Sequence, residues 1–96
     1  MKLTIDYLGY IKGLLGLKQP ERIELREDAT VRDMLFLLVK NHGAPFTKNL
    51  YELGAADLKS NIILAINGVL LNQLNGLYTK LKEGDHLVFM PIVSGG

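Results

Sequence analysis

One segment of the chain carries every signal of an amphipathic helix, and it lies between segments that alternate like strands. Thr30 is a good N-cap, and Asp33 three residues later completes a short-armed form of the capping box. Gly43 is suited to end the helix, and Pro45 is expected to prevent its continuation. The residues that recur at helical spacing predict one buried face: Val31, Met34, Leu35, Leu38 and His42.

The residues before this helix predict a hairpin. Residues 2–8 alternate between apolar and polar side chains, which is typical of a half-buried strand. Its odd-numbered residues are expected to face the core, and Leu8 the opposite side. Residues 9–20 contain three glycines and predict a turn, in which apolar residues fold back. Residues 22–26 predict the second strand of the hairpin.

The residues after the helix predict a second hairpin. The uninterrupted apolar run 62–66 indicates a central strand that is buried on both faces. Asn67-Gly68 follows directly and predicts a tight turn into a short return strand, because both residues tolerate positive φ. The last strand is expected at 86–91, with its odd-numbered residues inward and Met90 outward.

The order strand, strand, helix, strand, short strand, strand predicts an α+β roll, in which one mixed sheet of four to five strands wraps on one main helix. The helix lets the first and last strands lie side by side in parallel. We expect a folded domain at 1–91 and a flexible tail at 92–96. Residues 44–60 predict a short helix or a lid. This loop is expected to cover Phe36 and Leu37, which would otherwise form a second contact surface.

Composition argues against several classes of function. Lys and Arg number 11 and Asp and Glu number 10, so the net charge of +1 lacks the basic excess of a nucleic-acid-binding protein. The sequence has no cysteine, which excludes disulfides and thiolate ligands and favours a reducing compartment. The longest apolar run, 34–39, is far shorter than the about 20 residues of a membrane span. We therefore expect a cytoplasmic protein without nucleic-acid or membrane partners.

Two histidines are the candidate catalytic residues of an enzyme with its own site. Neither His42 nor His86 lies in a known nucleophile or metal motif. His42 is expected at the helix end, where an imidazole often meets the last carbonyls, and His86 beside Asp85 is expected to be solvated. We therefore predict no metal site, and a small enzyme with its own site is the least supported hypothesis.

The sequence ends in Gly95-Gly96, a rare ending when glycine makes up about 7% of residues on average. One interpretation of these glycines is a flexible terminus without a function. The other is that the terminal carboxylate reacts, because a tail without Cβ atoms can thread a narrow pocket and reach the α-phosphate of ATP. Formation of an acyl-adenylate would make the carbonyl electrophilic, and a sulfur nucleophile would then convert it to a thiocarboxylate. In this hypothesis the folded body presents the tail, and a partner supplies the catalytic groups.

Residues 84–96 resemble the C-terminal signature of the MoaD/ThiS family of ubiquitin-like sulfur carriers: Gly-Asp, an apolar alternation, a proline and a small residue before Gly-Gly. The strand and Asn-Gly hairpin at 66–68 and the helix start at 28–35 are similar as well, whereas 44–60 looks like an insertion. The tail is the specific part, since ubiquitin-like proteins share the helix and the hairpin. The resemblance implies a β-grasp fold, which agrees with the element order.

Within this family, the Phe-Met-Pro sequence that ends at Pro91 is closest to the small subunit of molybdopterin synthase, and Ile92 stands where that branch often has a second proline. The resemblance therefore implies a carrier that donates sulfur in molybdenum or tungsten cofactor biosynthesis. A ubiquitin-like protein modifier and a sulfur carrier for thiamin or tRNA thiolation stay open.

The resemblance also implies roles for single residues. Gly96 would carry the adenylate and then the thiocarboxylate, and Gly95 would permit threading. The carrier would bind a ubiquitin-activating-type adenylyltransferase, which uses ATP, and a larger subunit of the molybdopterin-synthase type. It would bind no cofactor and no metal itself. The partner-binding residues would be Leu8, Met90, Pro91, Ile92, Val93 and Ser94.

Overall fold

Seven strands and three helices are present in the computed structural model, which describes residues 1–92. The strands are β1 (Lys2–Tyr7), β2 (Glu21–Glu24), β3 (Tyr51–Glu52), β4 (Asp57–Leu58), β5 (Ile62–Ile66), β6 (Val69–Leu70) and β7 (His86–Pro91). The helices are α1 (Tyr10–Leu14), α2 (Val31–His42) and α3 (Ala44–Asn49), and two 3₁₀ turns precede β7, at Leu71–Gln73 and Gly76–Tyr78.

Five of the strands form one mixed sheet in the order β2-β1-β7-β5-β6. β1 and β7 are parallel, as predicted, and the other neighbours are antiparallel. The remaining two strands, β3 and β4, form a separate small hairpin. Since α2 buries one face against the inner residues of this sheet, the predicted α+β roll is confirmed.

The capping box of α2 is confirmed in full. The backbone N–H of Thr30 donates to the Asp33 carboxylate at 2.8 Å, and the Asp33 N–H donates to Thr30 Oγ1 at 3.3 Å. Gly43 ends the helix as expected. A second helix, α3, begins immediately, and Pro45 lies in its first turn, where a missing N–H costs nothing.

Alternation along the strands places the odd-numbered residues of β1, and Leu87 and Phe89 of β7, in the core as predicted, whereas Pro91 is only half-buried. The rings of Tyr7 and Phe89 are stacked with their centroids 5.3 Å apart. Phe46 meets Phe89 edge-on at 6.1 Å. Close packing of this kind stabilises a small core, in which each large apolar side chain touches several others. The residues of the five-stranded sheet in this core are Leu3, Ile5, Tyr7, Ile23, Ile62, Leu64, Ile66, Leu87 and Phe89.

The apolar run 62–66 forms a strand with the predicted bounds inside the sheet, between β7 and β6, and all of its residues except Ile63 are buried. β7 is the central strand of the sheet. Ile63 lies opposite Met90 and is only half-buried. The physical reason is that helix α2 covers one face of the sheet only, so Ile63 on the other face has no layer above it. The Asn67-Gly68 turn is confirmed, with φ values of 50° and 84°.

Residues 44–60 contain both a helix and a hairpin, and the expectation that they cover Phe36 is wrong. Phe36 is 46% exposed, and the Arg32 guanidinium lies 5.3 Å from the centre of its ring. The segment instead packs its own apolar residues into the core, where Phe46, Leu50 and Tyr51 are buried. Leu37, the other residue in question, does pack against the core.

The first hairpin differs slightly from its prediction. Residues 9–20 include α1, whose Ile11 is fully buried and anchors this connection. β1 ends at Tyr7 and leaves Leu8 outside the strand, and β2 spans 21–24 rather than 22–26.

Removing the Asp33 carboxylate should make the acid dependence of stability shallower. The hydrogen bond from the Thr30 backbone lowers the pKa of Asp33 from its ordinary value of 3.8, with help from the Thr30 hydroxyl and Arg26. A carboxyl with a lowered pKa in the folded state stabilises the protein above its unfolded pKa and loses that contribution as pH falls. We expect Asp33→Ala to lower the free energy of unfolding by about 1 kcal/mol at pH 7, and the gap to wild type to shrink below pH 4. Urea unfolding at pH 7 and pH 3 measures both.

Glu27→Ala is the matched control, because Glu27 carries a carboxylate nearby that is exposed and has no capping role. Its free energy of unfolding should stay close to that of wild type at both pH values. An Asp33→Ala gap that is equally large at pH 3 and pH 7 would contradict the role given to the ionised carboxylate.

Candidate functional site: the open sheet face and the tail root

The sheet has one face without a helix on it, which we call the open face. The even-numbered residues of β7 point to this side, and of these Val88 and Met90 are half-buried and His86 is exposed. Two residues of β5, Ala65 and Ile63, lie directly opposite Val88 and Met90. Ala65 is buried and the other three residues are half-buried, so Ile63, Val88 and Met90 form an apolar surface that is partly exposed.

Leu8 extends this apolar surface past the end of β1. Its backbone N–H donates to the carbonyl of Phe89 at 2.9 Å, which holds it beside β7. It continues the outward parity of Asp6 and is 47% exposed. The structure thus brings Leu8 and Met90 together on one face, as the sequence predicted. An exposed apolar patch of this kind is a usual sign of a protein-binding surface.

The other half of the open face is polar. His86 Nε2 lies 2.6 Å from Asp6 Oδ2, on the neighbouring strand. The His86 backbone N–H donates to Asn67 Oδ1 at 2.9 Å, and the Asn67 amide donates to Asp85. The His86 and Asp6 side chains are 50% and 33% exposed. Exposed ion pairs add little to stability, and no third catalytic group joins this pair among residues 1–92.

The apolar surface leads into Pro91 and Ile92, which we call the tail root. Pro91 is the last residue of β7 and pairs with Ile62. The Ile92 N–H donates to the carbonyl of Asn61 at 2.8 Å, and its side chain is about half exposed. The remaining predicted site residues, Val93, Ser94, Gly95 and Gly96, lie outside the described residues.

The expectation that His42 contacts the last carbonyls of α2 is wrong. Its Nε2 lies 2.9 and 3.0 Å from the two oxygens of Glu21, on the edge strand β2. The Tyr7 hydroxyl donates to the same carboxylate at 2.8 Å. Burial and the neighbouring Glu21 charge raise the pKa of Tyr7, so Tyr7 stays protonated and acts as a donor. This half-buried cluster ties three elements together, and its imidazole is not presented to a substrate.

The described part of the chain gives an independent active site little support. Over residues 1–92, no group of three or more metal-ligating side chains comes together. A groove with a volume of about 520 Å³ runs beside β5, and it contains neither histidine. Its walls include Leu58, Leu71, Leu77 and Ile92. No helix within 1–92 is long and apolar enough to cross a membrane.

The fold and this site define a ubiquitin-like β-grasp protein, and comparison with solved structures confirms it. SAMP1 from Haloferax volcanii matches with a TM-score of 0.80 and 26% identity over 100% of both chains. A protein assigned as molybdopterin converting factor subunit 1 from Pyrococcus furiosus matches with a TM-score of 0.74 and 27% identity, over 97% of this chain and 99% of that one. Urm1 from Trypanosoma brucei shares the fold, with a TM-score of 0.79 and 18% identity over 99% and 95% of the two chains.

The family model described as the ThiS family matches residues 5–96, and the chain belongs to this family. It is a ubiquitin-like protein of the sulfur-carrier or modifier type. The comparison with curated proteins found no match.

Sequence reasoning missed two parts of the site. Ile63 lies in an uninterrupted apolar run, which has no alternation to reveal an open face, and only its pairing with Met90 shows its position. The Asp6–His86 pair joins residues 80 positions apart. The parallel pairing predicted for the first and last strands indicated that Asp6 and His86 lie on neighbouring strands. It did not indicate that they lie close together, because the register of the two strands was not predictable.

Two matched leucine changes test the assignment of the faces. Leu87→Ala should lower the free energy of unfolding by about 2–5 kcal/mol, because Leu87 is fully buried against α2 and a cavity would remain. Leu8→Ala should change it by less than about 0.5–1 kcal/mol, because Leu8 is half-exposed. Chemical denaturation measures the free energy of unfolding of both variants. A similar loss of stability in both would mean that Leu8 belongs to the core.

Proposed function

We propose that the chain is a sulfur carrier whose C-terminal Gly96 is the reacting residue. One observation supports this most: the segment that ends in Gly-Gly follows the central strand of the sheet directly, and its root adjoins an apolar surface formed by the exposed Leu8 and the half-buried Ile63 and Met90. A partner that covers this surface would have the C-terminal segment at its own active site. Membership of the ThiS family supports the same role.

The chemistry follows from the carboxylate. An oxygen of the Gly96 carboxylate attacks the α-phosphorus of ATP, which is bound by a ubiquitin-activating-type adenylyltransferase, and pyrophosphate leaves. Hydrosulfide then attacks the acyl carbonyl, AMP leaves, and loss of the sulfur-bound proton gives the thiocarboxylate. Four residues beyond Ile92 span roughly 13–14 Å when extended, which is enough to enter an adjacent site. Gly95 keeps the end of this segment narrow, because it has no side chain.

We propose further that the sulfur goes to a pterin precursor of the molybdenum or tungsten cofactor, within a complex with a larger subunit of the molybdopterin-synthase type. The similarity to the Pyrococcus furiosus protein favours this acceptor. ATP and reduced sulfur donors place the proposed activity in the cytoplasm. The chain itself would bind no cofactor.

A second candidate function is protein modification, which the similarity to SAMP1 favours. In this alternative the activated Gly96 carbonyl is attacked by the side-chain amine of a lysine, and an isopeptide bond forms as AMP leaves. Both functions use the same activated carbonyl. They differ in the nucleophile, so the product distinguishes them.

Deleting Gly96 should abolish transfer without loss of folding. A terminal residue outside the core contributes little to stability, so the melting temperature should match that of wild type. Intact-mass measurement after incubation with the adenylyltransferase, ATP and a sulfur donor should show the mass change of oxygen replaced by sulfur in wild type only. A chain extended by one alanine after Gly96 is the control for the position of the carboxylate and should also stay unmodified. Sulfur incorporation in the deletion variant would refute the proposal, and a product linked to lysine would select the modifier alternative.

A charge on the open face should weaken docking and leave the fold intact. We expect Leu8→Asp to raise the KM for this chain in the adenylation reaction at least about tenfold, because a carboxylate would be desolvated at an apolar interface. Phe36→Asp is the matched control, since Phe36 is 46% exposed, like Leu8, but lies on α2, which packs on the other face of the sheet. Steady-state kinetics with each variant measures the difference. Equal KM values for the two variants would remove Leu8 from the docking surface.

A further inference from the structure

We propose that Gly9 is a positioning residue, which fixes the place where the C-terminal segment leaves the sheet by allowing the chain after β1 to close on Pro91. The proposal rests on the function proposed above, in which the end of this segment reacts in a partner's site.

The backbone of Gly9 has a conformation that other residues adopt only with strain. Its φ is 62° and its ψ is −146°, in a region of the Ramachandran map that is populated essentially by glycine alone. This conformation turns the chain from the end of β1 into α1. The turn is tied to the last strand one residue earlier, where the Leu8 N–H donates to the Phe89 carbonyl at 2.9 Å.

Gly9 also packs closely against the tail root. A Cβ atom at this position would lie 3.2 Å from Pro91 Cγ and 3.5 Å from Pro91 Cδ. The distance to Cγ is shorter than an ordinary van der Waals contact, whereas the distance to Cδ is normal. Pro91 has no N–H to donate to a neighbouring strand. Close packing with Gly9 therefore holds this residue where a backbone hydrogen bond cannot.

The other side of the tail root is held by the residue before β5. The Ile92 N–H donates to the Asn61 carbonyl at 2.8 Å. The Asn61 amide in turn lies 3.5 Å from the hydroxyl of Tyr10, the residue after Gly9. The tail root is thus held on one side by the packing of Gly9 on Pro91 and on the other by the hydrogen bond from Ile92 to Asn61.

A fixed tail root matters for a reaction that occurs four residues further on. If Pro91 and Ile92 were released, the number of residues between the last held residue and the end of the sequence would rise from four to six. Its effective concentration in a partner's site would fall roughly twofold, since this quantity declines as about the −3/2 power of length. Loss of alignment at the reacting carboxylate is the larger effect, because small misplacements can cost up to about 100-fold in rate.

The test compares Gly9→Ala with Gly16→Ala. Gly16 has a similar φ of 68°, but a Cβ there would meet no atom within 4 Å. Both variants therefore strain the backbone, and only Gly9→Ala crowds the tail root, where the Pro91 ring would have to shift by a few tenths of an ångström. Pro91→Ala is the second variant, which removes the same packing contact without strain at residue 9. Hydrogen exchange at the Ile92 amide is measured by NMR without any partner, and kcat and KM are measured for adenylation.

We expect the Ile92 amide to exchange about tenfold faster in Gly9→Ala and Pro91→Ala, with no change in Gly16→Ala. The kcat for adenylation should fall about tenfold in the first two variants, and the KM of Gly9→Ala should stay within about twofold of wild type. Normal kcat in both Gly9→Ala and Pro91→Ala, or an equal loss in Gly16→Ala, would overturn the positioning role alone. Wild type that is never adenylated would overturn the proposed function as well, so the two failures are distinguishable.

Discussion

The parallel pairing of β1 with β7 is the constraint on which the rest of the structure depends. It brings residues that are about 80 positions apart into register, Thr4 with His86 and Tyr7 with Phe89. Parallel neighbours need a long crossover connection, and α2 lies within that connection and covers one face of the sheet. The stacked rings of Tyr7 and Phe89 then fill the core beneath α2 and α3. The same pairing places Leu8 and Gly9 beside the last residues of β7.

This arrangement separates the residues that stabilise the fold from those that would contact a partner. Along β7 Leu87 and Phe89 are buried, and the even-numbered side chains lie on the open face. Changes at Val88 or Met90 should therefore affect the core less than changes at Leu87 or Phe89. The His42–Glu21–Tyr7 cluster belongs to the stabilising group, because it links the end of α2 to the edge strand and to β1. The two histidines lie beside carboxylates, His42 beside Glu21 and His86 beside Asp6, whereas the function proposed above places the reaction in the C-terminal segment.

Local patterns in the sequence predicted most of the fold correctly. The capping box at Thr30, the Asn67-Gly68 turn and the alternation in β1 and β7 depend on residues close together in the chain, and all three are confirmed. Features that depend on distant residues were not predictable in the same way. His42 was expected at backbone carbonyls and instead contacts Glu21, 21 positions away. Residues 44–60 carry no clear periodicity, and their helix and hairpin form because Phe46 and Tyr51 find space in the core.

The central position of β7 has a mechanical consequence. A pull on the C-terminal end acts along a strand that is hydrogen-bonded to a neighbour on each side. The load is therefore shared in shear by two ladders, and they must break together rather than unzip one bond at a time. An edge strand would peel away under a much smaller force. The folded body can thus withstand traction on its own end, whether from a partner that draws the segment inward or from a protease that engages it.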